Sequence, residues 1–148
     1  MISDNLSLKG RLNIVVTSPD GEIKDQKEID NLVVTTGKNF VASRMAGTSS
    51  GVMSHMAIGT GTTAAASSDT TIGSESARVA LTSTTVNSND VVYAATFPAN
   101  TPASAAAITE AGLFNASSSG TMLCRTVFSV VNKQSADALS ITWTVTAS

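Results

Sequence analysis

From one end of the chain to the other, short runs rich in Val, Ile, Thr and Leu alternate between apolar and polar residues. Clusters of Ser, Asn, Asp, Gly and Pro separate them. A period of two sends successive side chains to opposite faces of a strand, so each run has one face to bury and needs a second layer to bury it against. "RLNIVVT" leads into "SPDG", where Pro19 presets a turn before Asp20 and Gly21, and "EIKDQKEI" returns. That is a hairpin signature. "NLVVTT", "SHMAIG", the long "SARVALTSTTV", "VVYAATFPA", "SAAAITEAGLFNA", "TMLCRTVFSVV" and "ALSITWTVTA" read as further strands, with "NSND", "SSSG" and "NKQSAD" as turns. Strands of this length without crossover helices predict an all-β fold, an antiparallel β-sandwich.

One segment changes period. In "TTGKNFVASRMAG", Phe40, Val41, Arg44 and Met45 recur at helical spacing, Thr36 is placed as an N-cap, and Gly47 sits where a C-terminal glycine belongs. One short α-helix is predicted between Thr36 and Gly47, with Phe40, Val41 and Met45 facing the core. Residues 60–75 are expected to be a loop.

Bulk properties narrow the partners. The 148 residues suit a single domain, and 42% hydrophobic content supports a real core. Aromatics are 4%, so that core must be built mainly from aliphatic side chains. Charged residues are 14%, against a usual value of about 25%. A Ser- and Thr-rich surface so poor in charge suits contact with other protein, and equally suits a low-charge soluble domain. The nine basic residues are scattered within a net charge of −2, so no face gathers them for phosphate and nucleic acid is not an expected partner. No run approaches the ~20 apolar residues of a membrane span. The first ten residues, "MISDNLSLKG", lack a basic region followed by an apolar core, so no secretory leader is expected. The single cysteine, Cys124, excludes an internal disulfide and reads as a small buried hydrophobe in an alternating strand.

Catalytic signatures are weak. Gly59, Gly61 and Ala64 match the spacing G-x-G-x-x-A of a dinucleotide loop, but that chemistry needs a helix opening there to present its N–H groups to a pyrophosphate. The residues that follow, "AAASSDTTIGSE", have no apolar stripe, and no acid stands where a ribose ligand would be. The glycines therefore read as structural. His55, the sole histidine, has no second histidine for a zinc site and no nucleophile-elbow motif to serve. No D-x-D-x-D-G calcium loop occurs, and Trp143 and Tyr93 sit inside alternating strands, as core residues do. No cofactor or metal is expected, and the chain does not read as an enzyme.

One polar residue stands out. In "AITEAGLF", a period of two puts Ile108, Glu110, Gly112 and Phe114 on one side. A carboxylate among such neighbours needs a charged or hydrogen-bonding partner. Arg78 and Arg125, each set in an apolar strand, are the candidates for a structural ion pair.

The succession "NLVVTTGKNFVASRMAG", "MAIGTGTTAAASSDTTIGSESAR", "ITEAGLFNA" and "MLCRTVFSVVNKQSADALSITWTV" resembles small structural proteins of tailed bacteriophages, over most of the chain from about Asn31 to Thr146. The resemblance implies a sandwich of jelly-roll type and an architectural role in a virion, made in the host bacterial cytoplasm. The role it favours is a capsid decoration (cement) protein that binds the major capsid protein on the outer shell, with self-association as a homotrimer. A tail-fibre, baseplate or neck component is the alternative, and a carbohydrate-binding module on the same fold is a further one. Residues 1–9 are expected to form an N-terminal arm whose Ile2, Leu6 and Leu8 bind a partner, ahead of a single sandwich domain over 10–148.

Overall fold

The computed structural model describes residues 4–47 and 51–148. Nine strands and one helix follow in the order β1 (Leu8–Thr17), β2 (Ile23–Val33), α1 (Thr35–Met45), β3 (His55–Gly59), β4 (Glu75–Ala80), β5 (Ser83–Asn87), β6 (Asp90–Phe97), β7 (Ala106–Phe114), β8 (Met122–Lys133) and β9 (Ala138–Ala147). The strands form one antiparallel sheet in the order β4-β3-β7-β8-β2-β1-β9-β6-β5. It is curled into a half-barrel, so the predicted all-β, sandwich-like fold with one short helix is the fold observed.

The curl depends on two passages between the layers. β2 pairs with β1 from Ile23 to Asn31 and then with β8 through Leu32 and Val33. The runs "EIKDQKEI" and "NLVVTT", read as separate strands, are thus one strand that leaves one layer and enters the other. Asp30 and Asn31 could have made a turn, but they pair with Arg11 and Gly10 of β1. "SARVALTSTTV" does the reverse. It reads as one strand and is cut at Leu81 and Thr82, whose N–H groups donate to Ser54 O in one layer and Ala94 O in the other. β4 and β5 therefore end up at opposite margins of the sheet although two residues separate them.

The turn chemistry holds. At "SPDG" the Gly21 N–H donates to Ser18 O, with φ +89° at Gly21; that φ favours glycine over any residue with a Cβ. The main core lies inside the curl, built from Leu12, Ile14, Val16, Phe97, Ala111, Leu113, Leu139, Ile141 and Trp143 among others. Trp143 is fully buried, and its Nε1–H donates to Asn31 Oδ1 at 3.0 Å. Tyr93, paired with Trp143 across β6 and β9, packs partly buried against the same core. A smaller cluster of Val34, Ala57, Ile72, Phe114 and Met122 lies apart from it.

The helix departs from expectation in two places. Val34, not Thr36, is the N-cap; Thr36 lies inside the first turn and donates its hydroxyl to Met122 O at 3.0 Å. Phe40 and Val41 pack on the core, but Met45 is 84% exposed. The helix is anchored near its start, where Gly37 is buried so closely against β8 that an added Cβ would overlap the Leu123 backbone. Its last turn is carried outward. Gly47, at φ +67°, does close the helix by donating to Arg44 O.

Candidate functional site

The alternation of β7 predicts Ile108 and Glu110 on the same side. The structure corrects this. Pairing between β7 and β8 is irregular between Ile108 and Glu110. Ile108 joins Ala111 and Leu113 in the main core, whereas Thr109 and Glu110 both meet Gly61 in the 60–75 loop. Thr109 donates its hydroxyl to Gly61 O at 2.7 Å, and the Gly61 N–H donates to Glu110 Oε2 at 2.6 Å.

Glu110 is fully buried, and both its oxygens are saturated. Oε2 also accepts the Ser74 N–H at 2.7 Å; Oε1 accepts the Gly73 N–H at 2.6 Å and Arg125 Nη2 at 3.1 Å. Burial by itself would push the carboxyl up. The N–H groups of Gly73 and Ser74, the Arg125 guanidinium and the Gly61 N–H outweigh it and hold Glu110 below the usual carboxylate range. The glycines of "AIGTGT…TTIGSE" thus do surround an anion, and the anion is the protein's own. A Cβ at Gly61 would overlap the Glu110 carboxylate, and one at Gly59 would overlap Ser74 O.

Arg125 ties the arrangement together. Its guanidinium is buried, bridges Glu110 and Asp69 (2.7 Å), and donates to Thr63 O at 3.0 Å. Asp69 accepts the Ala66 N–H as well, and that bond, with Arg125, keeps it ionised below its ordinary value against the cost of burial. Ile72 inserts between these contacts into the smaller apolar cluster. A loop without helix or strand of its own is therefore fastened at Gly61, Thr63, Asp69, Ile72, Gly73 and Ser74.

Arg78, the other candidate partner, is elsewhere. It pairs with Glu75 (Nη2 to Oε1, 2.6 Å), donates Nη1 to Ala116 O and Ser119 O, and stacks over the Phe114 ring at 3.8 Å. Strand pairing explains this: Arg78 faces Ala57 on β3, a strand away from Glu110, and its reach is taken by the β7–β8 turn. Sequence reasoning missed Asp69, Gly73 and Ser74. The available signal was an acid in an apolar strand together with a glycine-rich loop lacking any helix.

The arm residues divide. Ile2 lies outside the described residues. Leu6 is 69% exposed, while Leu8 begins β1 and pairs with Ala147, so the expected arm boundary at residue 9 moves back to Ser7, whose backbone exchanges hydrogen bonds with Ser148. Leu6, Leu8, Val41, Ala42 and Met45, with Ser7 and Lys38, line a largely apolar groove beside α1.

Chemically, Glu110 has no lone pair left to serve as a general base, and as a carboxylate held low it has no proton to give. His55 is half-buried, with Nδ1 2.8 Å from Ser54 Oγ. Burial pushes the Cys124 thiol up to about 12. Among the described residues, no three His, Cys, Asp or Glu side chains are grouped to hold a metal ion, and no helix is long and apolar enough to cross a membrane. No protein-family model matches the chain, and no curated protein or solved structure matches it.

Proposed function

We propose that this chain is a structural protein of a bacteriophage virion, a capsid decoration protein that binds the outer shell and adds stability to the assembled particle. The observation that carries the reading is a pairing of opposites. The longest loop is locked by a buried carboxylate and guanidinium, while two large apolar side chains, Leu6 and Met45, stand 69% and 84% exposed on one groove. An internally fastened body with an unsatisfied apolar patch suits attachment to another protein better than turnover of a substrate. A module that binds only the assembled shell stabilises it by mass action, and trimers match the symmetry of capsid joints.

The test is to strip particles of this protein and add it back with and without residues 1–6. β1 starts at Leu8, so the truncated chain is expected to fold and to bind with lower occupancy and less protection against heat. Full occupancy with unchanged heat resistance would remove the groove and its arm from the reading. A map of the intact particle that places the chain in the tail, or nowhere, would remove the capsid role itself.

A further inference from the structure

One margin of the sheet carries recognition chemistry of its own. β5 ends the strand order and pairs with β6 alone, from Ser83 opposite Ala94 to Asn87 opposite Asp90. All five of its residues are exposed, Val86 at 72%. The sequence Ser-Thr-Thr-Val-Asn has neither a charge nor a proline, and those are the devices by which edge strands ordinarily repel another strand. The opposite margin differs: β4 carries Glu75 and Arg78, paired with each other, and residues 76–79 are half-buried.

The phase of the hydrogen bonds says which backbone groups point outward. Entering β6, Asn89 O accepts from Ala147 on the β9 side, and further along Ala94 O accepts from Thr82 on the β5 side. Alternation then turns the N–H and C=O groups of Asp90, Val92 and Ala94 towards β5, where they meet Asn87, Thr85 and Ser83. The N–H and C=O groups of Thr84 and Val86 are left pointing away from the sheet, and among the described residues no backbone group meets them. The side chains of Thr84 and Val86 share a face with Tyr93 and Val91, directly opposite them on β6. Tyr93 packs on the main core, so Val86 prolongs the inner apolar face beyond the core and is left uncovered.

We propose that β5 is a pairing surface for the β5 of a second copy of this chain, antiparallel about a two-fold axis at Thr85. In that register Thr84 of each copy stands opposite Val86 of the other, and all the outward N–H and C=O groups of Thr84 and Val86 are used. The edge is therefore complementary to itself, as an isologous contact requires. With no charge on β5, no like charges oppose each other across the axis, and the two Thr85 side chains form a favourable cross-strand pair. Five residues a side bury less than the ~1,200 Å² of a stable complex, so the dimer is a weak one. The contact uses none of the residues of the groove beside α1, and it gives dimers where the capsid reading favours trimers, so the two are tested apart.

Sedimentation equilibrium of the full chain from about 10 μM to about 1 mM covers weak affinities and should show monomer passing to dimer. Thr84→Pro deletes an outward N–H that β6 does not use, and Val86→Lys puts a charge on the free edge. Each should keep the wild-type circular dichroism and weaken dimerisation at least about tenfold. If Thr84→Pro does not fold, Val86→Lys decides. Thr85→Cys reads the register. On the axis the two copies of position 85 have Cα atoms about 4.5 Å apart, inside the ~4.4–6.8 Å of a disulfide, so mild oxidation should give a covalent dimer. Ser83→Cys should not, because its two copies lie four residues out of step, about 14 Å apart; the native Cys124 is buried and does not compete. A monomer throughout the range, trimers without dimers, a dimer unchanged by Val86→Lys, or Ser83→Cys cross-linking as fast as Thr85→Cys would each overturn the proposal.

Discussion

Replacing Glu110 by alanine removes the acceptor shared by the Gly61, Gly73 and Ser74 N–H groups of the 60–75 loop. The Gly61, Gly73 and Ser74 N–H groups lose their acceptor, and Arg125 keeps only Asp69 as a counter-charge. Breaking a buried ion pair from one side costs about 3–5 kcal/mol. Three stranded N–H groups at about 1–3 kcal/mol each would exceed that range, but the loop is at the surface and can shift to admit water, so about 3–5 kcal/mol is the expected loss. For a chain of this size that lowers Tm by about 6–20 °C. Urea denaturation of wild type and Glu110→Ala measures it, with Glu28→Ala as the yardstick. Glu28 pairs with Arg11 at the surface, both more than half exposed, and its loss is expected to cost about 0–1 kcal/mol. The pH dependence has a definite sign. Glu110 is held below its ordinary value of 4.5, so between the folded and unfolded values the unfolded chain binds a proton that the folded chain does not. The stabilisation is complete above the unfolded value and is lost as pH falls through the folded one, and Glu110→Ala should flatten that acid limb. A loss no larger than that of Glu28→Ala, with an unchanged acid limb, would refute the lock.

Three further outcomes follow from close contacts. Gly59→Ala forces a Cβ onto Ser74 O and is expected to cost about 1–3 kcal/mol by overpacking, read by the same denaturation. Arg78→Lys keeps the charge but cannot hold Glu75, two carbonyls and the Phe114 face together; amide exchange in the Asn115–Thr121 turn should speed up while exchange at Gly61 and Gly73 does not. Cys124, buried and pushed to about 12, should resist thiol reagents at pH 8 in the folded protein and react at once in denaturant; labelling of the native chain at a free-thiol rate would contradict its burial.

Local chemistry by itself determined much of this protein. Alternation made the strands, "SPDG" and "NSND" made hairpin turns, and the shift to helical spacing after Thr35 made α1, because each depends on neighbours within a few residues. The anomaly of Glu110 was legible for the same reason: an acid in an apolar run needs a partner wherever the chain goes. Closure of the sheet decided the rest. Whether "SARVALTSTTV" was one strand or two depended on which layers offered it hydrogen bonds, and whether Arg78 or Arg125 met Glu110 depended on the strand order β4-β3-β7-β8. The irregular pairing beside Ile108 broke the period of two that placed Ile108 with Glu110, and the anchoring of Gly37 on β8 left Met45 outside the core. The glycines of the loop showed the limit most clearly. Their spacing read as structural alone, and only the packing of the loop against β7 showed that the N–H groups of Gly61 and Gly73 surround an anion, a carboxylate 37 to 49 residues away along the chain.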